Sequence, residues 1–312
     1  QWLVGVNDTT ALFRGLSFDA VVLGYGTDMV DVKLIWAKLR ETFGDWGDDD
    51  VDLYALYGSY LGLEDVVIDA YWMYIRDDRS ITIADIDLHT IGLRGAGVIA
   101  GFDFDVEAAY QLGDVDGIRN PWFRIFNREA DVDYDEFAVN LELGYTFDMA
   151  WQPRVFGRFA WFGGGDPNNS FWNNDYDLPF NRLYSNVRYS EFLDIGQSLS
   201  NVFFYSLGVQ VMPTEAIELK LVGSYFEADR RPRNNGWLFW NNRSSSTLGW
   251  EIGLYGDYHY SEDLVIRAGY AHFFGQKGLE QNAGFANNGL AVWGGDRDDD
   301  YDYLFIETEI AF

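Results

Sequence analysis

Asp85, Asp87 and His89 follow one another at intervals of two. A carboxylate beside an imidazole can activate water, so this trio is the first place to look for catalysis. Asp103, Asp105 and Glu107 repeat the spacing and could supply the paired acids of glycoside hydrolysis. An interval of two is also the period of a β-strand, however, and one regular strand face accounts for all three acids without chemistry. His89, His259 and His272 are the only histidines. No nucleophile-elbow, P-loop, zinc-protease or dinucleotide-binding pattern occurs. Cysteine is absent, which removes disulfides, thiolate metal sites and cysteine nucleophiles. Two acidic runs, Asp45/Asp48/Asp49/Asp50 and Asp296/Asp298/Asp299/Asp300, could attract calcium, although their spacing is not that of an EF-hand loop. The residues imply no enzyme and no cofactor.

The elements that must carry these side chains have period two almost throughout. Phe102, Phe104, Val106, Ala108, Tyr110 and Leu112 share one phase, and Asp103, Asp105, Glu107 and Gln111 the other. Residues 137–147, 248–260 and 303–312 alternate in the same way. Thirteen strands are expected: 16–25, 29–41, 51–62, 66–76, 85–97, 102–113, 134–147, 153–163, 201–213, 215–228, 247–260, 263–275 and 301–312. Most are ten to fourteen residues long. Soluble strands average about five or six residues, whereas tilted membrane strands need about 9–11. No convincing helix is found, and no stretch is apolar enough for a membrane helix. Short links (26–28, 63–65, 98–101, 148–152, 213–214, 261–262) alternate with long ones (42–50, 77–84, 114–133, 164–200, 229–246, 276–300). Short periplasmic turns and long extracellular loops mark an outer-membrane barrel. The expected fold is therefore all-β, a single transmembrane antiparallel β-barrel domain over 1–312, with long extracellular loops at 114–133, 164–200, 229–246 and 276–300.

Composition agrees. The 312 residues include 22 Lys+Arg and 50 Asp+Glu, a net charge of −28. Such a chain lacks the clustered base that nucleic acid requires. An aromatic content of 18% excludes disorder despite the charge. In the phase opposite the apolar residues stand Asp19, Lys33, Asp69, Arg94, Asp103, Asp105, Glu107, Glu136, Glu142, Arg154, Arg158, Glu218, Lys220, Glu251, Asp257, Arg267, Glu307 and Glu309. These are six bases and twelve acids, expected to face a water-filled lumen. Arg94, Arg154, Arg158, Lys220 and Arg267 are the expected pore-lining bases. Asp105, Glu107, Glu142, Glu251 and Asp257 are their counter-charges. Arg154 and Arg158 share a face and can both reach Glu142 on the preceding strand. The same groups could instead form ion pairs that only brace the wall.

Aromatics cluster at strand ends, as in Tyr71/Trp72/Tyr74, Trp161/Phe162, Phe203/Phe204/Tyr205, Tyr258/Tyr260 and Tyr301/Tyr303. Interfacial girdles explain them. Phe171, Trp172, Tyr176, Trp237, Phe239 and Trp240 lie in loops, where they could stack on sugars. The acidic loop runs could meet lipopolysaccharide phosphates through divalent ions. The partners expected are outer-membrane lipid, lipopolysaccharide and a hydrophilic solute, with a surface-assembly partner left open.

Four stretches resemble a known family. Residues 5–21 (GVNDTTALFRGLSFDAV) are similar to an Asn-Asp…Phe-Asp entry strand. Residues 90–113 (TIGLRGAGVIAGFDFDVEAAYQLG) are similar to a Leu-Gly-Leu-Arg hairpin and the strand after it. Residues 189–226 resemble a long loop returning through an aromatic-Leu-Asp-x-Gly-x-Ser-Leu-x-Asn turn, and 269–275 (GYAHFFG) a penultimate strand. In order, they resemble the alginate export family of outer-membrane β-barrels. The resemblance implies a monomeric barrel of about eighteen strands that passes an anionic polysaccharide by diffusion. It also implies an arginine-rich constriction, from which the acidic excess here departs.

Strand parity leads to a related expectation. If residue 312 ends in the periplasm, thirteen strands place residue 1 outside, whereas single-chain bacterial barrels have an even count. A 16–18-stranded barrel with strands preceding these is expected, or a strand hidden in 1–12 or 164–200. The start QWLVGVND shows no basic n-region with an apolar segment after it, as if a targeting segment were removed or the chain began inside a longer protein. Three functions fit: a passive channel for polysaccharide or another hydrophilic solute, a general or cation-preferring porin, and a structural barrel in a surface assembly.

Overall fold

The computed structural model describes residues 19–40, 50–77, 85–116, 131–166, 175–183, 185, 187–194, 199–231, 245–280, 285–287, 290–292 and 300–311. Its main strands are β1 (Asp19–Gly26), β2 (Val30–Arg40), β3 (Val51–Leu63), β4 (Val66–Asp77), β5 (Asp85–Ile99), β6 (Phe102–Asp116), β7 (Asp131–Thr146) and β8 (Arg154–Phe162). A short β9 (Asp175–Leu178) precedes β10 (Val202–Thr214), β11 (Ile217–Ala228), β12 (Thr247–Ser261) and β13 (Leu264–Gly275). One helical turn α1 (Lys277–Glu280), a hairpin β14 (Phe285–Asn287) and β15 (Leu290–Val292), and β16 (Tyr301–Ile310) complete the order.

All thirteen expected strands are present, and each pairs antiparallel with its neighbour in sequence from β1 to β16. β9 adds a fourteenth strand, parallel to β7 and off the main path. Among the described residues no ladder joins β1 to β16. A strand in 164–200 is one of the expectations, and β9 is there, although parallel to β7 and outside the meander. Two details differ from expectation: the 276–300 segment holds α1 and the β14–β15 hairpin, and β6 and β7 extend to Asp116 and from Asp131. In those extensions the apolar phase switches, with Val115, Val132 and Tyr134 buried on the polar face, so a single continuous phase could not reveal them.

Short links close one end of the sheet. Two-residue turns at Glu64–Asp65 and Ala100–Gly101 need left-handed backbone, with φ of 55° at Asp65, 51° at Ala100 and 84° at Gly101. Gly101 suits its place twice over, because a Cβ there would also lie 3.2 Å from the Tyr145 ring. Each such turn is tied to the next hairpin: Val98 N–H donates to Asp65 O, Thr146 N–H to Gly101 O and His259 N–H to Ala216 O.

The two faces separate as the alternation demands. Tyr205, Leu207 and Val209 on β10 and Trp250, Ile252 and Leu254 on β12 are exposed on one face. On β16, Leu304 and Ile306 are 75% and 76% exposed. Soluble monomers rarely expose a contiguous apolar face of this kind, whereas a bilayer covers it. The opposite face carries the charges and the buried residues. Near the long-link end it holds an aromatic cluster of Phe162, Phe180, Tyr189, Phe204, Phe226 and Phe273. Phe180 and Tyr189 belong to the segment between β9 and β10, which lies against this face.

Candidate pore-lining site

Strand register places the charges in rows across the polar face. Asp69, Arg94 and Glu107 stand side by side on β4, β5 and β6. Asp105, Glu142, Arg158 and Ser206 stand side by side on β6, β7, β8 and β10. Side chains on one face of neighbouring strands lie close enough to pair, directly opposite or on the diagonal, so ion pairs form both within and between these rows.

Arg94 donates from Nη1 to Asp69 at 3.0 Å and grips Asp105 with Nε at 3.0 Å and Nη2 at 2.6 Å. Arg154 grips Asp103, with Nε 2.9 Å from Oδ2, and reaches Glu142 with Nη2 at 2.8 Å. Arg158 takes the other Glu142 oxygen, with Nε at 2.8 Å. Glu142 is thus shared by the two arginines that the sequence placed beside it. Arg267 bridges Asp257, at 3.4 Å, and Glu309. Glu107 is fully buried and accepts a 2.6 Å hydrogen bond from the Tyr71 hydroxyl. Lys220 has no carboxylate within ion-pair distance among the described residues. Its Nζ instead lies 5.2 Å from the Phe156 ring centroid.

Glu251 does something its type alone could not reveal. Expected as a counter-charge, it instead accepts from the Ser190 hydroxyl at 2.7 Å and from the backbone N–H groups of Glu191 at 3.1 Å and Phe192 at 3.4 Å. It moors the segment after β9 to the wall.

That segment belongs to the 164–200 loop, expected from the sequence to fold over or into the mouth, and the residues that seat it are what sequence reasoning missed. Arg182 and Asp194 form an ion pair at 2.8 Å with both side chains 0% exposed. The Arg182 guanidinium sits between the Phe162 and Tyr189 rings, 4.9 and 4.8 Å from their centroids. Asp194 also accepts from the N–H groups of Tyr189 and Leu199. Gln111 on β6 exchanges two hydrogen bonds with the Asn181 backbone, both 2.7 Å. Burial pushes the Tyr189 hydroxyl up in pKa, so it stays protonated and donates to Asn140 on β7 at 3.0 Å. Burial works against the Arg188 charge, but the Glu191 carboxylate 2.6 Å away holds that guanidinium above its ordinary range. The one available sequence signal was Asp194 itself, a lone acid inside Phe-Leu-Asp-Ile.

Tyr189 and Ser190 are consecutive, yet they bond to β7 and β12, four ladders apart. A flat sheet would separate those strands by about 19 Å. The segment therefore spans the polar face from β7 to β12, beside the charged rows. Between the segment and β8–β16 lies a cavity of about 260 Å³, lined by Arg158, Lys220, Arg267, Glu218, Asp257 and Tyr255 among others.

The catalytic candidates find other employment. Asp87 accepts from the Tyr74 hydroxyl, and His89 stacks on Tyr74 with ring centroids 4.5 Å apart. The Trp72 indole N–H points at His89 Nδ1 at 3.3 Å, so the trio belongs to an aromatic belt. Asp103, Asp105 and Glu107 go to three different partners rather than to one another. Lys38 takes Asp50 from the first acidic run, and Asp300 from the second lies 3.9 Å from His272 Nε2. Asp45, Asp48, Asp49, Asp296, Asp298, Asp299, Phe171, Trp172, Trp237, Phe239 and Trp240 lie outside the described residues, as do the Tyr176 side chain and residues 1–18.

A meander of long antiparallel strands, apolar on one face and charged on the other, is the build of an outer-membrane β-barrel. The chain belongs to the alginate export family, whose model matches residues 1–288. Its place is the outer membrane of a Gram-negative bacterium. Among solved structures it is similar to the siderophore receptor PirA from Acinetobacter baumannii, over 94% of this chain and 47% of that one, at 10% identity and a TM-score of 0.50. It is also similar to PirA from Pseudomonas aeruginosa (93% and 47% covered, 13% identity, TM-score 0.48). OccK11 (OpdR) from Pseudomonas aeruginosa is a third (95% and 71% covered, 13% identity, TM-score 0.49). The chain spans about half the length of the two siderophore receptors. At such identities the likeness concerns the fold alone. Comparison with curated proteins finds no match.

Proposed function

We propose that this chain forms the wall of a passive outer-membrane channel for a polysaccharide or another hydrophilic solute, with the charged rows as its filter. The observation that supports this best is the placing of Arg94, Arg154, Arg158, Lys220 and Arg267 on one face with Asp105, Glu107, Glu142 and Asp257. A hydrated solute passing such a wall exchanges water for fixed charges of both signs and leaves again because no single contact holds it. Alternating signs favour a polymer or small solute with many hydroxyls over a tightly bound ligand. No energy source is required beyond the gradient.

A second reading, a cation-preferring porin, draws on the pairing itself. Arg94, Arg154 and Arg267 each meet two carboxylates, so their charge is cancelled locally. The surplus carboxylates then set the sign of the field. Reversal potentials across planar bilayers under a salt gradient separate the readings. Anion preference is expected for a path serving an anionic polysaccharide. Strong cation preference sinks that path and leaves the porin. Absence of any conductance in correctly folded protein sinks both.

A further inference from the structure

The Arg182–Asp194 pair, the Gln111 clasp and the Glu251 carboxylate are used by neither reading above. All three hold the segment after β9, and together they say what it does. We propose that the described residues after β9 (179–183, 185 and 187–194) form an immobile strap that sets the size limit of the pore, while contributing no net charge to its selectivity. The inference rests on the channel reading.

Three observations carry it. First, the strap is moored at widely separated places on the wall: to β6 through Gln111 and Asn181, to β7 through Asn140 and Tyr189, and to β12 through Glu251 and Ser190. Phe192 adds a stack on Tyr301 of β16, with centroids 4.0 Å apart. A segment fixed to strands so far apart spans the polar face instead of following a single strand. Second, leaving would be costly. The Glu251 carboxylate would lose three donors, and Phe180, Tyr189 and Leu193 would be bared to water. A gate is drawn from weakly held chain, and this segment is strongly held. Third, the strap's described charges cancel within it. Arg182 pairs with Asp194, and Arg188 with Glu191 at 2.6 Å. What it presents to a solute is bulk. The sign of the passage is left to the strands, where Lys220 and Arg267 line the cavity beneath it.

The test uses the full chain reconstituted in bilayers and in sugar-loaded liposomes. The Q111A/S190A double variant cuts the Gln111 clasp on β6 and the Ser190 hydroxyl bond to β12 without removing a charge or touching a strand ladder. Trypsin reports whether the strap has come free, by cutting after Arg188, which is half-buried in the wild type. Liposome swelling with neutral oligosaccharides of increasing length reads the size limit. The expected result is new cleavage, admission of longer oligosaccharides and a rise in conductance of about twofold or more, with the reversal potential unchanged. Cleavage with an unchanged size limit overturns the proposal, and so does a strap that stays protected. A reversal potential that moves with the size limit overturns the claim of neutrality. If the double variant fails to fold, as judged by heat-dependent mobility in detergent, Y189A/F192A trims the seated strap and must raise conductance in the same direction. Wild-type protein that folds and conducts nothing marks failure of the channel reading instead.

Discussion

The polar face turns on a few residues that serve two partners at once. Glu142 receives Arg154 on one oxygen and Arg158 on the other, and Arg94 divides itself between Asp69 and Asp105. Such shared groups make removal of one side chain expensive. Arg94→Ala leaves two carboxylates, 4% and 15% exposed, facing each other without their cation. A loss of about 3 kcal/mol is expected, read as a lower urea midpoint for the folded barrel in detergent. Glu142→Gln acts differently. It keeps the shape but turns one accepting oxygen into an NH2 that cannot accept from an arginine, and it removes the charge that two arginines share. Its expected signature is electrical: the reversal potential moves toward anion preference while conductance changes little, and an unmoved potential would show that Glu142 only braces the wall.

Strands and their connections were unequally legible, for a physical reason. A strand half in lipid and half in water writes its environment into every second residue, so β6, β12 and β16 could be read from their phase. The partners of Arg154 and Arg158 were legible for the same reason, since one face of adjacent strands brings fixed neighbours together. The strap has no such period. Its fold depends on side chains meeting backbone from distant segments, as when Gln111 clasps Asn181 seventy positions away. Nothing local marks Gln111 as anything other than one more polar residue on β6. The role of Glu251 was misread on the same ground, because strand phase shows which way a carboxylate points and not what will arrive there. The lipid-facing side yields a prediction at this scale. Ile252 lies mid-way along β12, 51% exposed on the apolar face, with Leu254 and Trp250 beside it. Ile252→Arg should cost about 2–4 kcal/mol if this level is the bilayer midplane. The measurement is folding efficiency into phospholipid vesicles of increasing urea content. Glu218→Arg on the polar face of β11 serves as the comparison, because it adds charge without meeting lipid and should leave folding nearly intact.

At the scale of the molecule, the charge of −28 becomes a statement about transport. Eleven of the twelve acids and all six bases expected in the polar phase lie there, Asp19 instead sharing the phase of the exposed Val21, Leu34 and Trp36, and most of the bases are matched to carboxylates. On the porin reading the uncompensated field along the passage is negative, whereas the family resemblance implies a basic constriction. Long-range fields of this kind act through solution and are screened by it. At about 0.01 M salt the Debye length is roughly 30 Å and spans a pore of this kind, whereas at 1 M it is about 3 Å and each ladder is felt only on contact. The ion ladders themselves are too short-ranged to respond. Cation preference is therefore expected at low salt and should fade toward the ratio of bulk ion mobilities as salt rises, with conductance still open and the strap still in place. Measuring reversal potentials at a fixed concentration ratio and increasing absolute concentration tests this. A preference that persists at 1 M would locate selectivity in direct contacts, with Lys220 and Asp257 around the cavity the first residues to replace. An anion preference at every concentration would mean that the six bases govern the passage despite their partners, and would restore the arginine-lined path that the family resemblance implies.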